Sequence, residues 1–176
     1  MNSQDPDWDL KNKDQYNWVK SKLEEAVRLR DKEHKIDWII VMVHKPLYTL
    51  KGGHRPERKA RDAYQPLFDY FHVDIVLHGH SHNIQRTLPI KYGGLDNEPI
   101  LTESGMDFSL DHGQICIVSG AGGKELYQFD EPENRWTAFA YDKGYGYHIL
   151  EVQGKRMNVF AKSNDGNILE HFIVEK

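Results

Sequence analysis

The sequence predicts a mixed α/β fold in which a parallel βαβ unit is followed by antiparallel C-terminal strands. Two observations support this fold class. The first half of the chain has the order helix, strand, loop, helix, strand, and the second half has short strand-like runs separated by glycine-containing turns. The chain has 176 residues, of which 39% are apolar and 28% charged. This composition is typical of a globular protein, and at this length we expect a single domain.

The first predicted elements are an arm, a helix and a strand. Residues 1–13 are acidic and polar, and we expect a flexible arm. A helix is predicted from Asp14, which can cap it, to about His34, because apolar side chains recur at three- and four-residue spacing. The apolar run Trp38–Val43 is typical of a strand buried on both faces, and it ends at His44.

A long loop and a second helix connect this strand to the next one. Lys45–Arg61 contains prolines, glycines and many charges, and loops of this length in compact domains are usually functional. After the helix, a second buried strand, Val73–Leu77, runs into the sequence HGHSH, and we expect the two strands to be parallel neighbours.

The second half of the chain begins with a weak pattern between Gln85 and His112. Strand-like runs then return, and because turn residues separate them, we expect them to pair antiparallel. These runs are Ile115–Gly120, Tyr147–Val152, Arg156–Ala161 and Ile168–Val174.

Histidines mark the ends of the two predicted parallel strands. Ligands bind outside the carboxyl ends of the strands in open parallel sheets, and residues two apart in an extended chain point to the same side. We therefore expect His44, His80 and His82 to converge on one metal ion or two adjacent ions, with Gly79 allowing a sharp turn. A hydrogen-bonded surface role is the alternative for each of these three histidines. For His78, which belongs to the strand, we favour a core position.

Two segments resemble a known family. VMVHKPLY (Val41–Tyr48) and VLHGHSHNIQRT (Val76–Thr87) look like the last two metal-binding motifs of the calcineurin-like metallophosphoesterases, and most of all like the purple acid phosphatase branch. That branch pairs a His-x-Pro strand end with a Gly-His-x-His strand end. The similarity extends over almost the whole chain. It implies a phosphoester hydrolase with a sandwich of two sheets between helices, of which this chain supplies half.

The resemblance also implies roles for individual residues. His44 and His80 would bind one ion of a two-metal site, and His82 the other. His54 lies where these enzymes place a histidine that contacts the substrate phosphate or protonates the leaving group, and a solvated loop residue is the equal alternative. Arg86 is expected to brace the site. Two divalent ions, or ions of the Fe, Zn or Mn type, would hold the phosphoryl oxygens in the intact family site.

The sequence departs from the family in its carboxylates. The expected Asp-x-His, Gly-Asp-x-x-Asp and Gly-Asn-His-Asp or Gly-Asn-His-Glu motifs do not occur, and the cluster Asp5, Asp7 and Asp9 belongs to the polar arm. We therefore expect residues 1–176 to form a single partial domain from which the N-terminal half of the family domain is absent. A fragment of a full phosphoesterase is favoured over a natural half that pairs with another chain. Alone, the chain is expected to be weakly active or inactive.

Other classes of function receive less support. The net charge of -4 does not favour a nucleic-acid partner, and the polar N-terminus is neither a signal peptide nor a membrane span. Cys116 is the only cysteine, which excludes an internal disulfide and a thiolate zinc cluster. The expected partners are a phosphoester substrate and possibly the missing half. The alternative is a non-catalytic binding or structural module that keeps the fold but has lost its metal centre.

Overall fold

The computed structural model describes residues 13–50, 52–95, 97–102, 107–109, 113–130 and 134–176. The predicted N-terminal arm and its Asp5, Asp7 and Asp9 cluster lie outside these residues, apart from Lys13. The described elements are α1 (Lys13–Val27), a π-helical segment (Arg28–Lys32), β1 (Ile40–Val43), α2 (Arg58–Tyr70), β2 (Ile75–His78), β3 (Ile84–Thr87), β4 (Ile90–Lys91), β5 (Ile100–Leu101), β6 (Asp107–Ser109), β7 (Ile115–Ser119), β8 (Thr137–Tyr141), β9 (Gly146–Gln153), β10 (Arg156–Ser163) and β11 (Ile168–Glu175).

The first sheet has the strand order β1-β2-β7-β3-β8. Strands β1 and β2 are parallel, with Val43 opposite His78, which confirms the predicted βαβ unit. Strand β7 was expected to pair antiparallel with the later strands, and this was wrong: it lies parallel to β2, with Ile115 opposite Ile75. All but the last residue of β7 are buried, which suits the centre of a sheet that is covered on both faces.

The second sheet has the order β6-β11-β10-β9. Strands β9, β10 and β11 pair antiparallel, as predicted. The two tight turns between them contain Gly154 and Gly166, whose positive φ angles of 55° and 90° suit glycine. Side chains of the two sheets meet in a buried layer formed by Ile75, Ile115, Ile117, Met157, Val159, Phe172 and Val174.

The two helices cover the opposite face of the first sheet. Val19 and Leu23 of α1 are buried there with Phe68 of α2, which confirms the predicted apolar stripe of α1. Helix α1 already includes Lys13, so Asp14 lies in the first turn of the helix rather than at its cap. The negative charge of Asp14 still interacts favourably with the positive end of the helix dipole. The layers are therefore helices, a mixed sheet and a second sheet in which β9, β10 and β11 are antiparallel and β6 lies parallel to β11. None of the described helices is long and apolar enough to cross a membrane.

The predicted boundaries of the long loop and of β2 shift by a few residues. Helix α2 begins at Arg58, so Arg58–Arg61 is helical rather than part of the loop. The amide of Arg61 bonds to the carbonyl of Glu57 at 3.0 Å, which closes the first turn of the helix. Strand β2 runs to His78 rather than ending at Leu77.

Strand β1 is not buried on both faces, contrary to the prediction. Val43 points to the helices and is 2% exposed, whereas Ile40 and Met42 are 38% and 69% exposed. Within the described chain β1 has β2 as its single neighbour and forms an edge of the sheet. A cavity of about 480 Å³ lies against Met42 and is also lined by Leu77 and Leu150. The second face of β1 is therefore only partly covered by the described residues.

A buried ion pair joins the two sheets. The Arg86 guanidinium on β3 donates to Glu170 on β11, with Nη2 2.5 Å from Oε1 and Nε 3.0 Å from the same oxygen. It also lies over the Phe172 ring, 4.1 Å from its centroid. Arg86 thus braces the sheets against each other, whereas the sequence suggested that it braces the histidine site.

Candidate metal centre

The ends of β1 and β2 are held side by side. The amide of Gly79 donates to the carbonyl of His44 at 3.0 Å, which fixes the chain after β2 against the chain after β1. The predicted role of Gly79 as the turning residue was wrong, since an added Cβ there would make only an ordinary contact, 3.6 Å from His44 Nδ1. The sharp turn is made instead by His80, whose φ of 64° lies in the left-handed region.

His44 and His80 point at each other. His80 Nδ1 lies 3.2 Å from His44 Nε2, and the two rings meet edge to face. Two nitrogen ligands of one tetrahedral ion, each about 2.0–2.1 Å from it, would lie roughly 3.3 Å apart. Burial, together with the neighbouring imidazoles of His54 and His44, lowers the pKa of His80 to about 4. The His80 ring is therefore neutral near pH 7 and has a lone pair available for a ligand.

His54 belongs to the same cluster. Its ring stacks on His80 with 3.7 Å between ring centroids, so the loop folds back over the strand ends. The Nε2 atom of His54 lies 3.5 Å from the hydroxyl of Tyr127. The structure thus brings the half-buried His54 to the predicted strand-end histidines.

His82 lies to one side of this pair. Its Nδ1 is 2.8 Å from the carbonyl oxygen of Glu125, and its ring stacks on Tyr127 with 4.2 Å between centroids. A carbonyl only accepts, so Nδ1 carries the proton and Nε2 of the neutral ring keeps its lone pair. The centroids of His54 and His82 are 6.3 Å apart. His82 therefore presents a separate donor beside the His44 and His80 pair.

His78 lies in the core beneath the cluster, as predicted. It is 4% exposed, and its Nδ1 is 3.1 Å from the carbonyl oxygen of Val43. Burial lowers its pKa to about 4, so the ring is neutral near pH 7. Its second nitrogen, Nε2, is buried without a hydrogen-bond partner among the described residues.

The loop after β7 also borders the histidines, and its role was not predicted from the sequence. This loop supplies Tyr127 and the Glu125 carbonyl, which orient His54 and His82. It approaches the histidines closely, since a Cβ on Gly120 would lie 1.8 Å from the carbonyl oxygen of Ser81. The signal in the sequence is the glycine-rich turn after the apolar run Ile115–Ser119. If that run is recognised as a parallel strand, the turn after it lies at the same edge of the sheet as the histidines.

The donor set fits one side of a metal site. Neutral imidazoles suit Fe, Zn or Mn. In the part of the chain that the structure describes, however, no group of three or more His, Cys, Asp or Glu side chains is arranged to hold a metal ion. Two cations held close together need a bridging anion such as a carboxylate, because their charges repel. The cluster can therefore contribute nitrogen ligands, and further ligands must come from elsewhere.

Comparisons with known proteins identify relatives of both halves of the chain. Residues 2–83 match the calcineurin-like phosphoesterases, and residues 113–171 match the iron/zinc purple acid phosphatase-like protein C. The chain is 28% identical over 171 residues to a probable inactive purple acid phosphatase 1 of Arabidopsis thaliana, covering 93% of this chain and 26% of that protein. It is 29% identical over 164 residues to the Fe(3+)-Zn(2+) purple acid phosphatase 12 of the same plant, covering 87% and 32%.

A solved structure agrees with these sequence matches. A purple acid phosphatase isolated from yellow lupin (Lupinus luteus) seeds superposes with a TM-score of 0.79 at 26% identity, covering 94% of this chain and 28% of that one. The chain therefore spans about a quarter to a third of the length of these relatives.

Proposed function

The chain belongs to the calcineurin-like phosphoesterase family, in its purple acid phosphatase-like branch, and from this we propose that it supplies the histidine side of a binuclear metal site in a metal-dependent phosphoester hydrolase. One observation carries the proposal: the imidazoles of His44, His54, His80 and His82 gather at the carboxyl ends of two parallel strands. The edge of a parallel sheet is where such folds bind their ligands.

Three of these histidines act as metal ligands. His44 and His80 hold one ion, since their facing nitrogens are 3.2 Å apart and the His80 ring is neutral. His82 binds the second ion through Nε2, because its Nδ1 is engaged by the Glu125 carbonyl at 2.8 Å. When bound, the two ions stabilise negative charge on the phosphoryl oxygens as Lewis acids. Iron and zinc suit these donors and agree with the name of one relative.

His54 contacts the substrate. Its ring is held by stacking on His80 at 3.7 Å and by the Tyr127 hydroxyl, 3.5 Å from Nε2. An imidazole fixed in this way can donate a hydrogen bond to a phosphate oxygen or a proton to the leaving-group oxygen. The role of His54 is therefore to orient the phosphate or protonate the leaving group.

Residues outside this chain complete the domain. The chain forms one partial domain, and the missing N-terminal half supplies the carboxylates and covers the open face of β1. The exposed Met42 and the cavity beside it support this, as do nearby buried ring nitrogens that lack partners among the described residues, one on His78 and two on His148. Alone, the chain binds metal weakly and hydrolyses little.

Metal titration tests the ligand assignment. Zn²⁺ or Mn²⁺ is titrated calorimetrically into the purified chain, its His80→Ala variant and a His171→Ala control. His171 is a suitable control because it is exposed and bonds to Asn158 rather than to the histidine cluster. Loss of a direct ligand should lower metal affinity by at least about tenfold, and the control should match the wild type. Equal affinities for His80→Ala and the wild type would refute the assignment.

A non-catalytic module of the same fold is the second candidate. It is favoured by the lack of a closed ligand group among the described residues and by the word inactive in the name of one relative. Sequence upstream of Met1 separates the candidates. In-frame Asp-x-His, Gly-Asp-x-x-Asp and Gly-Asn-His motifs, with hydrolysis of an aryl phosphate by the longer protein, support the hydrolase. A longer protein that folds but binds no metal supports the non-catalytic module.

A further inference from the structure

The loop that carries His54 is anchored on a buried side-chain amide. The backbone N–H of Leu50, in the same loop, donates to Gln85 Oε1 at 2.8 Å. Leu50 is 3% exposed and Gln85 is 4% exposed, so this hydrogen bond lies away from water. A buried backbone N–H in a loop has no neighbouring strand to pair with and needs another acceptor. Gln85, on the regular strand β3, supplies that acceptor.

The orientation of the Gln85 amide follows from this bond. A backbone N–H only donates, so the amide oxygen must face Leu50 and the amide nitrogen must point the other way. Nε2 donates to Thr49 Oγ1 at 2.8 Å and to Asn83 Oδ1 at 2.7 Å. Both are lengths of well-formed hydrogen bonds. Gln85 therefore links the loop after β1 to the turn after β2 (residues 79–83), in which Asn83 directly follows His82.

Asn83 extends this link to the loop after β7. It is completely buried, its carbonyl accepts from the Gly120 amide at 3.1 Å, and its Nδ2 lies 3.5 Å from the Tyr127 carbonyl oxygen. The Tyr127 amide in turn donates to the His82 carbonyl at 3.0 Å. Gln85 and Asn83 thus connect the three segments that surround the histidines, namely the loop after β1, the turn after β2 and the loop after β7.

The loop after β1 also packs directly on the loop after β7. A Cβ on Gly53 would overlap the Tyr127 ring, and a Cβ on Gly52 would overlap the Gln128 carbonyl. Close-packed neighbours leave little room for alternative positions of the backbone next to His54. The position of His54 therefore depends on how well the loop is fixed at its buried anchor.

We propose that Gln85 is a positioning residue of the histidine cluster. Its amide holds His54 on the His80 ring by fixing the loop after β1 to the turn that carries His80 and His82. The role rests on the proposed hydrolase function, because the parts of these histidines in metal and substrate binding are themselves proposed. A buried polar network whose members are all hydrogen-bonded specifies one arrangement of the segments that it joins. Gln85 acts in this way through the backbone of the two segments.

Nuclear magnetic resonance of the histidine rings in the metal-free chain tests this role. The His54 and His80 rings stack with 3.7 Å between centroids, so nuclear Overhauser contacts should join their protons. Gln85→Leu removes the acceptor of the Leu50 amide. We expect this variant to lose the contacts between the two rings, and the His54 signals to move towards those of the exposed His34.

Two milder variants accompany Gln85→Leu. Thr49→Val keeps the shape of the side chain but removes one of the three hydrogen bonds of Gln85, and it should weaken the contacts between the histidine rings in the same direction. This variant decides the outcome if Gln85→Leu does not fold. Gln85→Glu keeps an acceptor for the Leu50 amide and should retain the ring contacts, which a loss of packing at this position would not explain.

Gln114→Leu is the matched control. Gln114 is 1% exposed and donates from Nε2 to Asp69 Oδ1 at 3.0 Å, next to the amino end of β7 and therefore at the opposite end of the sheet from the histidines. Loss of a buried amide lowers stability in either place, so urea unfolding should detect both leucine variants. The histidine signals of Gln114→Leu should nevertheless match those of the wild type.

The positioning role is wrong if the folded Gln85→Leu and Thr49→Val variants keep the wild-type ring contacts. It is also wrong if Gln114→Leu changes the His54 signals as much as Gln85→Leu does. Neither result bears on the metal assignment, because the spectra are recorded in EDTA. The metal assignment fails separately, if His80→Ala binds metal like the wild type.

Discussion

The ion pair between Arg86 and Glu170 should contribute strongly to stability, and Glu170→Gln measures its contribution. The two side chains are 2% and 7% exposed, so water screens their charges little. Glutamine keeps the size of the side chain but removes the negative charge that faces the buried Arg86 guanidinium. Removing one partner of a buried pair costs about 3–5 kcal/mol. We therefore expect the free energy of unfolding to fall by about 3 kcal/mol.

Urea unfolding followed by circular dichroism measures this loss, and the chain offers a matched control. Arg156 and Glu175 form an ion pair that also involves β11, but their side chains are 48% and 58% exposed. Exposed pairs contribute about 0–1 kcal/mol, so Glu175→Gln should change stability by no more than that.

A double variant tests whether Glu170→Gln lowers stability because it removes the negative charge that faces the buried Arg86 guanidinium. Arg86→Met combined with Glu170→Leu replaces both charges by apolar groups, and it should be less destabilised than the two single variants summed. If Glu170→Gln costs no more than Glu175→Gln, the buried pair does not brace the sheets.

Two further predictions concern the close packing at Gly120, which follows β7, and the half-buried His148 of the second sheet. In the same urea assay, Gly120→Ala should destabilise the chain by about 2 kcal/mol, because the added Cβ would meet the Ser81 carbonyl oxygen. Gly122→Ala should leave stability unchanged, because nothing lies within 4 Å of the added Cβ. Equal effects of the two substitutions would contradict this prediction. Burial lowers the pKa of His148 to about 4, so the unfolded chain binds the proton more readily and wild-type stability should fall as pH falls from about 6.5 towards 4. The His148→Leu variant should lose stability less steeply over that range, and parallel pH profiles would refute the assignment.

The parallel unit and the meeting of its histidines could be predicted because both follow from short-range rules. A continuous apolar run followed by a histidine places that histidine at a strand end, and two parallel strands bring their ends together. His44 and His80 therefore meet, at 3.2 Å between ring nitrogens. The partner of β7 could not be predicted in the same way, because the run Ile115–Ser119 reports burial but not which strand lies beside it.

Strand β3 could not be recognised because three of its four side chains, those of Gln85, Arg86 and Thr87, are polar and yet buried. Gln85 is 4% exposed and its side chain bonds to the amide of Leu50 at 2.8 Å and to the hydroxyl of Thr49 at 2.8 Å. Arg86 in the same strand has its partner 84 residues away in Glu170. Such side chains look like a surface loop in the sequence, since the groups that make their burial favourable are distant in the chain.

The exposed face of β1 shows a second limit of prediction from the sequence. The run Trp38–Val43 is apolar throughout, which is why burial on both faces was expected. Met42 is nevertheless 69% exposed, and a cavity that Leu77 and Leu150 also line lies against it. An apolar pattern shows which faces a strand can bury, whereas the burial of each face depends on the elements that pack around the strand.

At position 80, where the backbone is left-handed, the residue that is best for stability differs from the residue that the proposed metal site needs. For a residue with a Cβ this conformation is less favourable by roughly 1–2 kcal/mol, a cost that glycine does not have. A library randomised at position 80 and selected only for thermal stability should therefore enrich glycine. Selection for metal binding should retain histidine. The two selections would diverge at the residue on which the proposed metal pair depends.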